Sequence, residues 1–323
     1  MANAKYSVIV PVFNRPEEID ELLESLTLQT YKDFEILIIE DGSTLSCKPQ
    51  VENYKTRLNV TYFFKENSGQ GFSRNFGFEK ASGEWLIVFD SDCIIPSDYF
   101  QLVNEFLATN DLDAYGGPDK AASDFTLIQK AISYSMTSFF TTGGIRGGKK
   151  HLGAFHPRSF NMGIKREVFK KTGGYILPKK GEDIELSIRI IENGFKTGLI
   201  PEAFVYHKRR TNFKQFFKQL HFFGTARINV FRFYKRELKL VHFFPSAFLL
   251  GLLAVFILYL IIPVFGMIGL MVYGTYALVL LIDAIARTKS LAVGFLAVIA
   301  SFVQLIAYGM GLLKEGMIYL LRG

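Results

Sequence analysis

The sequence predicts an α/β fold: a doubly wound, mostly parallel sheet, followed by an interfacial amphipathic helix and an all-α transmembrane region. Three observations predict it. Short apolar runs ending in turn residues or acids alternate with helical stretches through about residue 205. A basic, phenylalanine-rich segment with helical spacing follows at 211–236. The remainder is nearly uncharged and long enough to cross a bilayer more than once.

Taken in order, Ser7–Val10 reads as a strand ending at Pro11, and Glu17 to Gln29 as a helix. Ile19, Leu22, Leu23 and Leu26 share one face of that helix, and acids occupy its first turn. Phe34 to Ile39 is a second buried strand, ending at Glu40-Asp41-Gly42-Ser43, and Asn59 to Phe64 is a third. Gly71 to Ala81 is a helix opening on the glycine-rich turn Asn67-Ser68-Gly69-Gln70-Gly71. Trp85-Leu86-Ile87-Val88-Phe89 follows the turn Ala81-Ser82-Gly83 and reads as a strand covered on both faces. From about Gly116 the pattern loosens. Thr141 to Gly153, rich in glycine and lysine, reads either as a lid or as a surface loop. Gly181-Glu182-Asp183 opens a helix running to Asn193-Gly194.

Phe213, Phe216, Phe217, Leu220 and Phe223 follow helical spacing, with Lys214, Lys218 and His221 on other faces. The segment suits a membrane interface; its other reading is a helix packed on the soluble core. Between Lys239 and Asp283 no residue carries a full charge. That stretch is about twice the ~20 residues a spanning helix needs. Pro263 and Gly266 divide it into spans of about 244–262 and 265–283, and Ser290 to Leu313 is a third. These runs account for 49% hydrophobic residues and a mean hydropathy of +0.20. The division expected is 1–210 an α/β domain in the cytoplasm, 211–240 interfacial, and 241–323 transmembrane.

The net charge is +7, with basic residues concentrated before the first span and at Arg287-Thr288-Lys289. Both places face the cytoplasm if the spans alternate. A juxtamembrane position explains the charge, so no nucleic-acid partner is expected. The opening residues carry no signal-peptide pattern, and Cys47 and Cys93 fit a reducing compartment without a metal cluster.

Asp90-Ser91-Asp92 stands at the carboxyl end of a buried strand, where open α/β sheets bind ligands. Bare Asp-x-Asp matches are common by chance; the position gives this one weight. Paired carboxylates there suit a hard cation that also holds phosphates. Asp41 read alone is a turn residue, and Glu182-Asp183 alone a dipole-favoured first turn.

The ordered set SVIVPVFNRPEEIDELLESLTLQTYKDFEILIIEDGST, NSGQGFSRNFGFEKASGEWLIVFDSD, FNMGIKREVFKKTGGY and GEDIELSIRIIENGF resembles the family 2 glycosyltransferases with the GT-A fold, over about residues 5–230. The C-terminal spans resemble those of bacterial inner-membrane members that assemble exopolysaccharide, O-antigen or lipid-linked glycans. The resemblance implies an inverting, metal-dependent transfer of one sugar from a nucleoside-diphosphate sugar, UDP-sugar at family level. The implied acceptor is a lipid-linked or membrane-proximal glycan at the cytoplasmic face. It implies that Asp41 accepts the base's ring N–H. Pro11 to Asn14, Phe13 included, would line the base and ribose pocket. Gly71 and Arg74 would lie in the segment packed near the nucleotide, and Asp90 would face the ribose. Asp92 would hold Mn²⁺ or Mg²⁺ on the diphosphate, with His207 completing the shell or serving structure alone. Asp183, with Glu182 beside it, would supply the general base.

One departure matters. Processive synthases carry Gln-x-x-Arg-Trp on the interfacial helix, whereas here Gln219 precedes Leu220-His221-Phe222-Phe223 and the only tryptophan is Trp85. The segment instead resembles the Tyr-Gly-x-x-Arg pattern of non-processive members, through Phe223-Gly224-Thr225-Ala226-Arg227. Arg227 would then steady the diphosphate or anchor the helix to headgroups. Two other readings stand beside this one: a polyprenyl-phosphate sugar synthase, and a non-catalytic membrane scaffold.

Overall fold

A computed structural model describes residues 4–120, 125–143, 155–208 and 210–322. The chain forms two compact units, one from residues 1–122 and 151–208, the other from 123–150 and 209–323.

The first unit begins β1 (Tyr6–Val12), α1 (Pro16–Thr27), β2 (Phe34–Asp41), α2 (Lys48–Tyr54), β3 (Val60–Lys65), α3 (Gln70–Lys80) and β4 (Trp85–Phe89). It continues with β5 (Cys93–Ile94), α4 (Tyr99–Thr109), β6 (Ala114–Gly116) and β7 (Asp119–Lys120). After the chain returns come β8 (Asn161–Lys165), α7 (Arg166–Thr172), α8 (Glu182–Glu192), β9 (Thr197–Leu199) and β10 (Val205–His207). Among the described residues the main sheet has seven strands, ordered β3-β2-β1-β4-β8-β6-β9. Strands β3, β2, β1 and β4 run parallel, and β8 is antiparallel to both β4 and β6. A smaller sheet pairs β10 with β5 and β7.

Both faces of the sheet are covered, so its central strands are apolar throughout rather than alternating. Val8 and Val10 pack with Ile19, Leu22 and Leu26 of α1 and with Phe100 of α4. Ile9 points the other way, onto Phe78 of α3 and Leu186 and Ile190 of α8. Each large apolar side chain buried this way contributes about 1.5–3 kcal/mol, which fixes how the amphipathic helices dock. The parallel strands β1, β2 and β4 end along one edge, at Val12, Asp41 and Phe89.

The second unit contains α5 (Leu127–Thr137), α6 (Phe139–Thr142), α9 (Phe213–Phe233), α10 (Phe244–Ile261), α11 (Pro263–Thr288) and α12 (Leu291–Arg322). The aromatic stripe of α9 is covered by protein. Phe216 and Leu220 are buried, and Phe213, Phe217 and Phe223 pack on the same cluster, which includes Ala131 and Ile132 of α5 and Ala300 and Ala307 of α12. Helices α9 and α12 approach so closely that a Cβ at Gly224 would lie 2.2 Å from the Tyr308 carbonyl oxygen. Three helical stretches among the described residues, Leu240–Ile261, Pro263–Thr288 and Leu291–Leu321, are long and apolar enough to cross a membrane. Only 11% of the apolar window is buried in each of the first two, against 44% in the third. The glycine-rich segment Thr141 to Gly153, expected as lid or loop, lies from 144 onward outside the described residues; Thr141 and Thr142 end α6.

Candidate functional site

Asp41, Asp90, Asp92, Glu182, Asp183 and His207 all belong to the first unit. Strand ends supply the first three, the first turn of α8 the next two, and β10 the last.

Asp41 closes β2 and is only 4% exposed. Lys65 Nζ donates to its Oδ1 at 2.6 Å, Ser68 N to Oδ1 and Gly69 N to Oδ2, both at 2.9 Å. Burial alone would raise this carboxyl's pKa; Lys65 and the Ser68 and Ser73 hydrogen bonds hold it below the ordinary value. Asn14, in the left-handed region at φ 54°, ties the β1 loop to the β2 loop. Its Oδ1 accepts from Thr44 N and Leu45 N at 2.8 and 2.9 Å. Phe13 beside it is exposed, and Pro11 is half-buried in β1.

Arg74 on α3 is the hub of the acid cluster. It is buried, donating through Nη2 to Asp90 Oδ1 at 2.8 Å and through Nη1 to Glu182 Oε1 at 3.1 Å. Gln70 also donates to Glu182. Arg74 thus sits behind the acids rather than facing solvent. Gly71 is buried as well, and the close approach it permits is to protein: a Cβ there would meet the Leu177 carbonyl oxygen at 2.2 Å.

The two acids opening α8 diverge. The Glu182 side chain turns inward, and burial together with the Asp183 charge raises its pKa. The Asp183 side chain is partly exposed and accepts from Arg158 Nη1 at 3.2 Å. Burial works against its ionisation, but Arg158 and then Arg74 hold it below the ordinary value.

Asp92 is 6% exposed. Its Oδ1 faces His207 Nε2 at 3.0 Å, and its Oδ2 accepts from Arg15 Nη1 at 2.5 Å. Burial opposes ionisation, yet His207 and Arg15 hold Asp92 well below the usual carboxylate range. The reverse holds for His207: burial would lower its pKa, and the Asp92 hydrogen bond and charge raise it. The imidazole stacks on Phe160, with centroids 5.3 Å apart. Ligand atoms of Asp92, Cys93 and His207 lie within 4.8 Å of one another. A carboxylate oxygen with an imidazole nitrogen suits a divalent cation such as Mn²⁺. The Cys93 thiol donates to the Phe160 carbonyl at 3.6 Å, and burial pushes its pKa well up. It therefore stays protonated, a poor ligand for a hard cation. The donor set fits a hard divalent ion through Asp92, with His207 at its side.

Arg227 lies on α9, in the second unit. Sequence reasoning missed Arg15, Lys65 and Arg158, each the counter-charge of an expected acid. The one signal for them was general: a buried carboxylate needs a cationic or hydrogen-bonding partner.

A sequence model described as Glycosyl transferase family 2 matches residues 7–173. An uncharacterized glycosyltransferase of Rickettsia felis is 38% identical over 108 residues, 33% of this chain and 18% of that protein. This chain thus spans less than a fifth of that relative's length. The poly(ribitol-phosphate) beta-N-acetylglucosaminyltransferase TarS of Staphylococcus aureus is 30% identical over 151 residues, 41% of this chain and 26% of TarS. A TarS 1–349 structure in complex with UDP-GlcNAc is similar with a TM-score of 0.50, at 21% identity over 70% of this chain and 67% of that one. The mannosyltransferase PcManGT from Pyrobaculum calidifontis, in complex with GDP-Man and Mn²⁺, has a TM-score of 0.62 at 17% identity. That likeness covers 98% of this chain and 88% of PcManGT, and shows a common fold.

Proposed function

We propose, from the premise that this chain belongs to glycosyl transferase family 2, that its first unit, of GT-A fold, transfers one sugar from a nucleoside-diphosphate sugar with inversion at the anomeric carbon. The acceptor is a lipid-linked or membrane-proximal glycan at the cytoplasmic face of a bacterial inner membrane. One observation carries the reading. Acids from separate segments, Asp41, Asp90, Asp92 and Asp183, gather within one unit, and Arg74 joins two of those segments by binding both Asp90 and Glu182. UDP is the preferred donor nucleotide because TarS, similar in both sequence and fold, is crystallised with UDP-GlcNAc.

In this reading Asp41, kept ionised by Lys65, accepts the ring N–H of the base, and Pro11, Phe13 and Asn14 line the base and ribose pocket. Asp90 meets the ribose while Arg74 fixes it from behind. Asp92 and His207 would hold a divalent cation, Mn²⁺ or Mg²⁺, which when bound would neutralise charge developing on the leaving diphosphate. Asp183 is the general base. Its depressed pKa keeps it ionised at neutral pH, and its exposure lets an acceptor hydroxyl reach it. Glu182 positions Arg74 and shields it from solvent. No protein nucleophile is required, which makes the reaction a single displacement.

The test is Asp183→Asn in the full chain. Transfer should fall by about 10²–10⁴-fold while nucleotide binding stays within a factor of about two. In the unsubstituted protein the acid limb of the rate profile should lie below the ordinary aspartate value of about 3.9. Near-normal transfer by the variant would remove Asp183 from the base role. It would favour a phosphate acceptor, which needs little help from a base.

A further inference from the structure

We propose that Arg15 is the stand-in cation of the acid site: it holds Asp92 while no divalent ion is bound and yields it when ion and nucleoside diphosphate arrive together. The inference rests on the nucleotide-sugar reading above and adds a switch to it.

The backbone aims this arginine. On one side Asn14 is pinned in the left-handed region by its bonds to Thr44 and Leu45. On the other, Pro16 opens α1 and keeps the residue before it out of the helical region; Arg15 has φ −140° and ψ 56°. From that position Nη1 reaches Asp92 Oδ2 at 2.5 Å. This is the only side-chain hydrogen bond of Arg15 among the described residues, so the rest of its planar fork has no partner there. Its side chain is 31% exposed against 7% for Asp92.

Charge decides the rest. His207 Nε2 faces Oδ1 and Arg15 Nη1 holds Oδ2, so an ion taken up between Asp92 and His207 meets the guanidinium charge across one carboxylate. The guanidinium competes with that ion, because like charges repel at this range. Arg15 touches a carboxylate only 7% exposed, and breaking such a pair is costly unless another charge takes its place. A diphosphate changes the balance. It brings several negative oxygens that match the guanidinium fork in pairs, so Arg15 exchanges one carboxylate oxygen for two phosphate oxygens. Asp92 is then released to the incoming ion. The consequence is positive coupling: ion and nucleotide each bind more tightly when the other is present, by the same factor.

The experiment titrates Mn²⁺ into the detergent-solubilised full chain, reading free Mn²⁺ by electron paramagnetic resonance, with and without UDP. Without UDP, Arg15→Gln should bind Mn²⁺ about tenfold or more tightly than the unsubstituted protein, the scale on which one adjacent charge biases a carboxylate. Arg15→Lys, which keeps the charge, should bind as weakly as the original. The gain in Mn²⁺ affinity on adding UDP should be smaller in Arg15→Gln than in the original. Arg15→Ala repeats the charge removal should Arg15→Gln fail to fold. Equal Mn²⁺ affinity with and without the arginine charge, or an undiminished UDP effect, overturns the switch alone. Failure of every form to bind Mn²⁺ even with UDP present overturns the nucleotide-sugar reading beneath it.

Discussion

Glu182 and Asp183 are adjacent residues of one chemical type, and their surroundings push their pKa values apart. The first is buried against Arg74 and raised; the second meets Arg158 and is lowered. Separating two carboxylates in this way lets one stay ionised for chemistry while the other serves structure. The sequence announced the acid pair, because Gly181 and a first turn of acids mark a helix start. It did not announce Arg74 as their link. That role depends on contacts 16 and 108 residues away, which no local pattern carries. Arg74 reads from the sequence as a nucleotide-side residue; the structure shows it buried, bonded to Asp90 and Glu182. Removing it leaves buried Glu182 without its charged partner, though Gln70 still donates to it, while Asp90, a third exposed, can turn to water. Breaking a buried pair costs about 3–5 kcal/mol. Arg74→Ala should therefore lower the melting temperature of the solubilised protein by several degrees and weaken donor binding as well. An unchanged melting curve would mean the cluster does not need its hub.

Among the elements, legibility followed periodicity. Strands β1 to β4 and helices α1, α3 and α8 were readable because each has a clean apolar run or face between turn signals. Strand β8 was not, since Asn161-Met162-Gly163-Ile164 is too short to show a period, and its antiparallel pairing with β4 is a purely tertiary fact. Helix α5 was missed in a stretch broken by polar residues, although Thr126 caps it with Gln129 in a reciprocal box. Helix α9 shows the limit from the other side. Its apolar face was legible, but not the partner covering it. That partner needs Gly224, and a larger side chain there forces α9 and α12 apart. Gly224→Leu should destabilise the second unit by about 1–3 kcal/mol or more, and Gly224→Ala by less, read as thermal unfolding in detergent. Equal stability of all three forms would show that the helices can separate freely.

For the molecule as a whole, composition foretold the three long apolar helices, and their surfaces agree. Phe256, Leu260 and Met271 are each more than 60% exposed, a pattern that water would penalise and lipid would not. The third span was read to stop at Leu313, because Lys314 and Glu315 follow it. The helix continues to Arg322, and Glu315 within it pairs at 2.8 Å with Arg232 of α9, so that charge is answered within the unit. Helices that cross a membrane should keep the protein in the membrane pellet through a molar salt wash and an alkaline carbonate wash, and release it only with detergent. Release by salt alone would mean attachment by charge rather than by spanning helices.

The order of the chain sets a practical limit. Residues 123–150 belong to the second unit although both neighbouring stretches belong to the first. A soluble fragment cut at residue 208 would therefore carry α5 without α9 and α12, leaving Ala131, Ile132 and Met136 without the cover they have in the whole chain. Such a fragment would behave as a sticky, half-finished protein however sound its sheet. Anyone wanting the sheet unit in isolation must also excise this internal passage and bridge the gap with a linker.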